Sequence, residues 1–205
     1  HIVSLWPLVQ QKTKINSPKN FLNNHGLLGK IVIMYSGNHS LAHPLDTLLE
    51  SMKGYENRQD VSFVFVGDGP GKAVVTKWKH KHTLVPVKQL PYQPLEIIDE
   101  SLGAADLHVV SMGTEMSGCV HPSKAYTALA MGKPLIYLGP KESAIGQWIN
   151  SNLIGWQVEH GDVDRLIEII EIFLGMTRKE RLEQSKRILQ FAKNNLDRVS
   201  KLNEI

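Results

Sequence analysis

Three segments of this 205-residue chain combine glycine with hydrogen-bond donors or cations at spacings that suit an anion. The longest runs Gly113-Thr114-Glu115-Met116-Ser117-Gly118-Cys119-Val120-His121-Pro122-Ser123-Lys124 and continues into the more apolar Ala125-Tyr126-Thr127-Ala128-Leu129-Ala130-Met131. A polar, glycine-bearing loop here feeds a helix that opens on Pro and Ser. Proline suits a first helical turn because the N–H it lacks would be unpaired there anyway. The free N–H groups around Ser123, the positive end of the helix and the Lys124 ammonium then converge on one anion, as a diphosphate cradle requires. The second segment is Ser36-Gly37-Asn38-His39-Ser40. Gly37 lets backbone approach a ligand, and His43 is expected on the first turn of the following helix as a further donor. The same residues read equally well as a plain Gly-Asn turn with an exposed histidine beyond it. The third, Gly67-Asp68-Gly69-Pro70-Gly71-Lys72, fits neither nucleotide fingerprint: the dinucleotide pattern wants glycine where Lys72 stands, and a P-loop wants Ser or Thr directly after that lysine. It is read as a strand-to-helix turn shaped by glycine.

Other chemistries find less support. His80-Lys81-His82 and Cys119-Val120-His121 offer too few ligands at zinc spacings, so no metal site is expected. There is no Gly-x-Ser-x-Gly nucleophile elbow, and Cys119 reads as a packed or exposed thiol sooner than as a nucleophile. Outside the last helix no basic stripe is interleaved with aromatics, so nucleic acid is not an expected partner. No residue declares itself catalytic.

The loops gain meaning from the elements between them. Short runs rich in β-branched and aromatic residues, at 31–35, 62–66, 83–87, 106–110, 134–138 and 155–158, read as buried strands. Amphipathic stretches at 41–52, 72–80, 94–102, 122–131, 143–150 and 163–174 read as helices. Strands buried on both faces and alternating with helices imply a parallel sheet covered on two sides. The expected architecture is therefore α/β: a Rossmann-like, doubly wound sheet with its ligand at the carboxyl ends of the strands. Residues 1–29, interrupted by Pro7 and Pro18, read as a linker or edge segment, and 30–205 as the domain. A long amphipathic helix is expected from about 177 to 202, with Leu182, Ile188, Leu189, Phe191, Ala192 and Leu196 on its apolar side. Packing on the sheet with a solvated outer face is the simpler reading of that helix, and a basic face lying on an anionic membrane is the other.

Composition bounds the answer further. With 42% apolar and 21% charged residues the chain is an ordinary globule rather than a disordered or collagen-like one. A formal charge of +3 does not by itself indicate a polyanionic partner. The single cysteine excludes an internal disulfide, which suits a reducing compartment. Neither a signal peptide nor an apolar run near the roughly 18 residues of a membrane helix is visible. The chain begins at His1 and stops mid-pattern at Ile205, as expected of part of a longer protein.

Taken in order, Tyr35-Ser36-Gly37-Asn38, Phe63-Val64-Phe65-Val66-Gly67-Asp68-Gly69-Pro70, Ala104-Ala105-Asp106-Leu107, Pro122-Ser123-Lys124 and Ala130-Met131-Gly132-Lys133-Pro134 resemble the donor-binding, C-terminal half of family 4 (group 1) glycosyltransferases of the GT-B fold. The nearest branch is that of bacterial transferases similar to the colanic acid and exopolysaccharide enzymes. The resemblance covers the chain from about Lys30 onward. It implies a UDP- or GDP-linked sugar as donor and no cofactor, with the diphosphate on Gly37, Asn38, His43, Ser123 and Lys124. Gln89, Leu90 and Thr127 would lie on the nucleobase and ribose side, and Glu115, Ser117 and Gly118 on the donor-sugar loop. Where many members carry an arginine and a lysine after the first strand, this chain has Asn38 and His43. Where they carry two glutamates eight apart, it has Cys119 and Thr127. Lys124 is thereby left as the principal cation. The resemblance further implies retention at the sugar, an N-terminal GT-B half that holds the acceptor site and catalytic groups, and a glycan or lipid-linked acceptor in polysaccharide biosynthesis. The setting would be cytoplasmic or at the inner membrane face. An epimerase acting on nucleotide sugars and a non-catalytic nucleotide-binding scaffold are the alternatives.

Overall fold

Six short runs of apolar, largely β-branched or aromatic residues form the parallel sheet of the computed structural model, which describes residues 17–116 and 123–196, without the side chains of Met116 and Ser123. The strands are β1 (Ile31–Ser36), β2 (Val61–Val66), β3 (Val87–Leu90), β4 (Leu107–Ser111), β5 (Leu135–Leu138) and β6 (Gly155–Val158). They lie in the order β3-β2-β1-β4-β5-β6, every pairing parallel. The helices are α1 (Lys19–Asn24), α2 (Asp46–Met52), α3 (Lys72–Lys81), α4 (Ile98–Gly103), α5 (Ser123–Ala130), α6 (Ala144–Asn152), α7 (Val163–Gly175) and α8 (Arg178–Leu196).

Alternation along β1 shows how both faces are used. Ile33 and Tyr35 join a core with Leu48 of α2, Trp78 of α3 and Phe173 of α7. Val32 and Met34 join another with Phe21 and Leu27, and α5, α6 and α8 close the rest of that side around Leu129, Ile149 and Ile188. A strand with helices on both faces can be apolar throughout, which is why β2 is buried at all six positions.

The structure moves several expected boundaries. Residues 19–24, assigned to an irregular segment from sequence, form α1, because Phe21 and Leu27 give this stretch an apolar anchor of its own. The helix expected from residue 41 starts only at Asp46. Pro44 disfavours helical backbone at His43, so the loop after β1 runs through residues 37–45 and His43 is not on a helix. The strand expected at 83–87 is displaced to Val87–Leu90, because Pro86 has no N–H for the ladder and pairing begins opposite Phe63. On α8, Ile188, Phe191, Ala192 and Leu196 are buried, whereas Leu182 and Leu189, expected beside them, are 55% and 46% exposed. The start of α8 is a reciprocal cap: the Glu180 N–H donates to Thr177 Oγ1, and the Thr177 N–H donates to the Glu180 carboxylate. Among the described residues no helix is long and apolar enough to cross a membrane.

Candidate functional site

Strand order reverses between β1 and β4: β2 and β3 continue to one side of β1, and β5 and β6 to the other side of β4. In such a sheet the loops leaving those two strands diverge over opposite faces and open a crevice at their carboxyl ends. The loop after β1 carries Gly37, Asn38, His39 and His43; that after β4 carries Gly113 and Glu115 and leads to α5.

The exits of β1, β2 and β3 are stapled together. The Gly37 N–H donates to the Val66 carbonyl, the Gly67 N–H to that of Leu90 and the His39 N–H to that of Asp68, at 2.8, 3.0 and 2.8 Å. Gly37 and Gly67 have φ of 124° and 129°, a region that side chains rarely adopt. A Cβ on Gly67 would also stand 2.1 Å from the Gly37 carbonyl oxygen, so two glycines let the loops interlock. Asn38 turns its side chain toward this packing, since a Cβ on Gly69 would lie 2.4 Å from Asn38 Oδ1. What Asn38 offers the crevice is its backbone carbonyl.

Lys124, in the first turn of α5, reaches across the seam to that carbonyl. Its side chain passes directly over Gly37, where a Cβ would be 2.4 Å from Lys124 Cε. The ammonium donates to the Tyr35 hydroxyl at 3.0 Å and to the Asn38 carbonyl at 3.3 Å. It also sits 4.4 Å from the centre of the Tyr35 ring, within cation–π range. The Tyr35 hydroxyl donates in turn to the Asn38 carbonyl at 2.8 Å. Burial lowers Lys124 to about 8, so it is still mainly charged at neutral pH, yet no carboxylate accepts from it among the described residues. An ammonium with no acidic partner among the described residues suits an anion, and the amino end of α5 carries the positive end of the helix dipole beside it.

Two histidines surround the ammonium. His39, 1% exposed, lies edge-on to Tyr35 with ring centres 5.0 Å apart. Neither of its ring nitrogens makes a well-formed hydrogen bond. Burial and then Lys124 push its pKa down, against the nearby carbonyls of Asp68 and Gly37. His43 is likewise lowered, chiefly by burial and then by Lys124, against the Ser111 backbone, and its Nδ1 has no hydrogen-bond partner among the described residues. Both rings are therefore neutral near pH 7, and Lys124 holds the charge.

The remaining expected residues are more scattered. Gln89 lies in β3 rather than in a loop after it, and its amide exchanges hydrogen bonds with Thr76 of α3 at 3.1 to 3.2 Å. Leu90 ends β3 and packs against the Phe21 cluster. Thr127 is 8% exposed, three residues beyond Lys124 on α5. Glu115 is exposed and, with Leu41, Pro44, Gly113 and His160, borders a cleft of about 770 Å³ beside the crevice. Ser117 and Gly118, like Cys119, His121 and Pro122, fall outside the described residues, and of Ser123 only the backbone is described. Sequence reasoning gave no role to Tyr35 or His39. The available signal for Tyr35 was a hydroxyl in an otherwise apolar strand, one step before its terminal serine and glycine. Among the described residues, no group of three His, Cys, Asp or Glu side chains is placed to hold a metal.

Known proteins share this sheet and its helices. Residues 19–194 match the family described as glycosyl transferases group 1. Over 151 residues the chain is 27% identical to the probable glycosyltransferase WbjE of Pseudomonas aeruginosa, covering 74% of this chain and 38% of that protein. It is also 27% identical over 118 residues to the putative colanic acid biosynthesis glycosyl transferase WcaI of Escherichia coli (strain K12), covering 58% and 29% respectively. The crystal structure of Anabaena Alr3699/HepE in complex with UDP-glucose superposes with a TM-score of 0.75 at 17% identity, over 95% of this chain and 52% of that one. The chain thus spans well under half the length of the curated relatives it matches.

Proposed function

The chain belongs to the glycosyl transferases of group 1, and from that membership we propose that it is the donor-binding half of a transferase that moves a sugar from a nucleoside diphosphate to an acceptor. The observation that carries the proposal is the Lys124 ammonium, held over the Gly37 loop at the seam where strand order reverses, with no carboxylate among the described residues accepting from it. A diphosphate fits this place because it needs a positive counter-charge and N–H donors together, and Lys124 with the amino end of α5 provides both. The same groups would stabilise the negative charge that develops as the diphosphate leaves the sugar, which is this half's share of catalysis. HepE was crystallised with UDP-glucose, which favours a uridine nucleotide among the donors to try first, with GDP-sugars as the other class.

In this proposal no metal or organic cofactor takes part. The transferred sugar is a hexose and leaves with retention. The acceptor is a glycan or a lipid-linked glycan in polysaccharide assembly, bound by an N-terminal half that supplies the remaining catalytic groups. The enzyme works on the cytoplasmic side, in solution or at the inner face of the membrane. Calorimetric titration of the folded chain with UDP, GDP, UDP-glucose and GDP-mannose tests the core of this reading. One nucleotide series should bind, with the diphosphate required; a folded chain that binds none of the four overturns it.

A further inference from the structure

We infer that Tyr35 is a positioning residue of the donor site, a platform that fixes the Lys124 ammonium over the Gly37 loop and keeps it charged there. This deepens the reading above and rests on it for the identity of the anion. The first observation is connectivity. Lys124 donates to the Tyr35 hydroxyl at 3.0 Å, that hydroxyl donates to the Asn38 carbonyl at 2.8 Å, and the ammonium donates to the same carbonyl at 3.3 Å. The three groups close a ring in which Tyr35 is the only side chain touching Lys124 Nζ among the described hydrogen bonds. The second is the ring itself, whose centre is 4.4 Å from the ammonium, within cation–π range.

The third observation is that Tyr35 is itself immobile. It is 1% exposed at the penultimate position of β1, paired to Phe65 on one side and Val109 on the other, and braced edge-on by His39. A long lysine has several rotatable bonds to order before it can bind an anion, and a rigid acceptor supplied by the sheet removes most of that freedom beforehand. Burial also works against the charge on Lys124, which is down to about 8, and His39 and His43 stand nearby. The groups that oppose this loss are the Tyr35 oxygen and ring and the Asn38 carbonyl. Asp68, the carboxylate of the neighbouring loop, is occupied by Lys72 at 2.9 Å. Burial raises the pKa of Tyr35 far above neutrality, so its hydroxyl keeps the proton that it donates to Asn38.

The test is the titration of Lys124 in the nucleotide-free chain, followed by the NMR signal of its side-chain methylene and assigned by its disappearance in Lys124→Met. In Tyr35→Phe the ring and the fold are kept and only the hydroxyl is lost. The midpoint should fall by about one pH unit, the scale of a lost hydrogen bond to a charged group. UDP-glucose binding by the same variant should then show a deficit that is about eightfold larger near pH 8.5 than near pH 6, where both proteins are protonated and only the lost ordering of the lysine remains. Tyr35→Leu, which removes the ring as well, should lower the midpoint further, with folding checked by thermal melting. An unchanged Lys124 midpoint in Tyr35→Phe overturns the inference. So does a loss of binding that is equal at all pH values, since that is what a merely structural tyrosine would give. Because the NMR titration uses no nucleotide, it decides the role of Tyr35 even where the donor reading fails, and failure of all binding with a shifted midpoint would count against that reading alone.

Discussion

Lys124 is a cation from which part of the water has been removed and to which no carboxylate among the described residues is paired, so its protonation and any anionic ligand are coupled. Burial lowers the free ammonium to about 8. A diphosphate beside it favours the charged form and raises that value, so above about pH 8 binding must take up a proton. Affinity for UDP-glucose is therefore expected to be level from about pH 6 to 7.5 and to fall by up to about tenfold per pH unit from about pH 8 to 9, a window in which the sugar-linked diphosphate itself does not titrate. In Lys124→Ala the slope should vanish, and binding at neutral pH should weaken by about 1 to 3 kcal/mol, the range of a charge-assisted contact. Calorimetry of both proteins across that range decides it: a Lys124→Ala protein with normal affinity takes Lys124 out of the site. Lys124 was legible in the sequence because Pro122 and Ser123 announce a helix start next to it. Tyr35 was not, because its part depends on a contact between residues 89 positions apart, and no local pattern encodes such a meeting.

At the scale of elements, the site depends on the exits of β1 and β2 fitting into one another. Gly67 is the tightest point: it has φ of 129°, and an added Cβ would stand 2.1 Å from the Gly37 carbonyl oxygen. Gly67→Ala must strain its own backbone and push away the loop over which Lys124 lies. Strain of this kind costs about 1 to 3 kcal/mol, before any displacement is counted. Urea denaturation should show a loss of at least that size, and UDP-glucose affinity should fall with it. Gly54, at which a Cβ meets nothing within 4 Å and φ is not positive, is the control, and Gly54→Ala should leave affinity unchanged and raise stability by at most about 1 kcal/mol. Normal stability and affinity in Gly67→Ala would mean that the interlock does not hold the site. The glycines in this turn were visible in the sequence, but their partners were not, since a Gly-rich turn is equally a phosphate loop or a packing device until the second loop is in place. The displaced β3 and the late start of α2 are a related lesson. Pro86 and Pro44 outrank the apolar pattern by removing an N–H and by restricting the residue before them, so apolar periodicity located the elements but not their ends.

At the scale of the whole molecule, alternation of buried strands with amphipathic helices was enough to imply a parallel, doubly wound sheet, because few other arrangements bury strands that are apolar on both faces. The position of the seam was not legible, since nothing local states that β4 pairs with β1 rather than with β3. That one choice brings the loops of residues 37–45 and the amino end of α5 to the same crevice. Among the described residues, the crevice so formed has a wall but little chemistry for making a glycosidic bond. Under the proposed function its cation serves a leaving group, its histidines are buried and pushed toward the neutral form, and of the nearby carboxylates Asp68 is bound to Lys72 while Glu115 lies out on the neighbouring cleft. The relatives WbjE and WcaI extend well beyond the stretch that this chain matches. Under the proposed function, the chain alone should bind a nucleotide sugar and neither transfer nor hydrolyse it at a useful rate. The same residues within a complete two-domain enzyme should support transfer that Lys124→Ala reduces by about 10- to 100-fold, as expected when one charged contact to a leaving group is removed. Chromatography of the nucleotide released from UDP-glucose, with and without acceptor, provides the measurement. Steady turnover by the isolated chain would place the missing acid or base within these residues and sink the division of labour between the two halves.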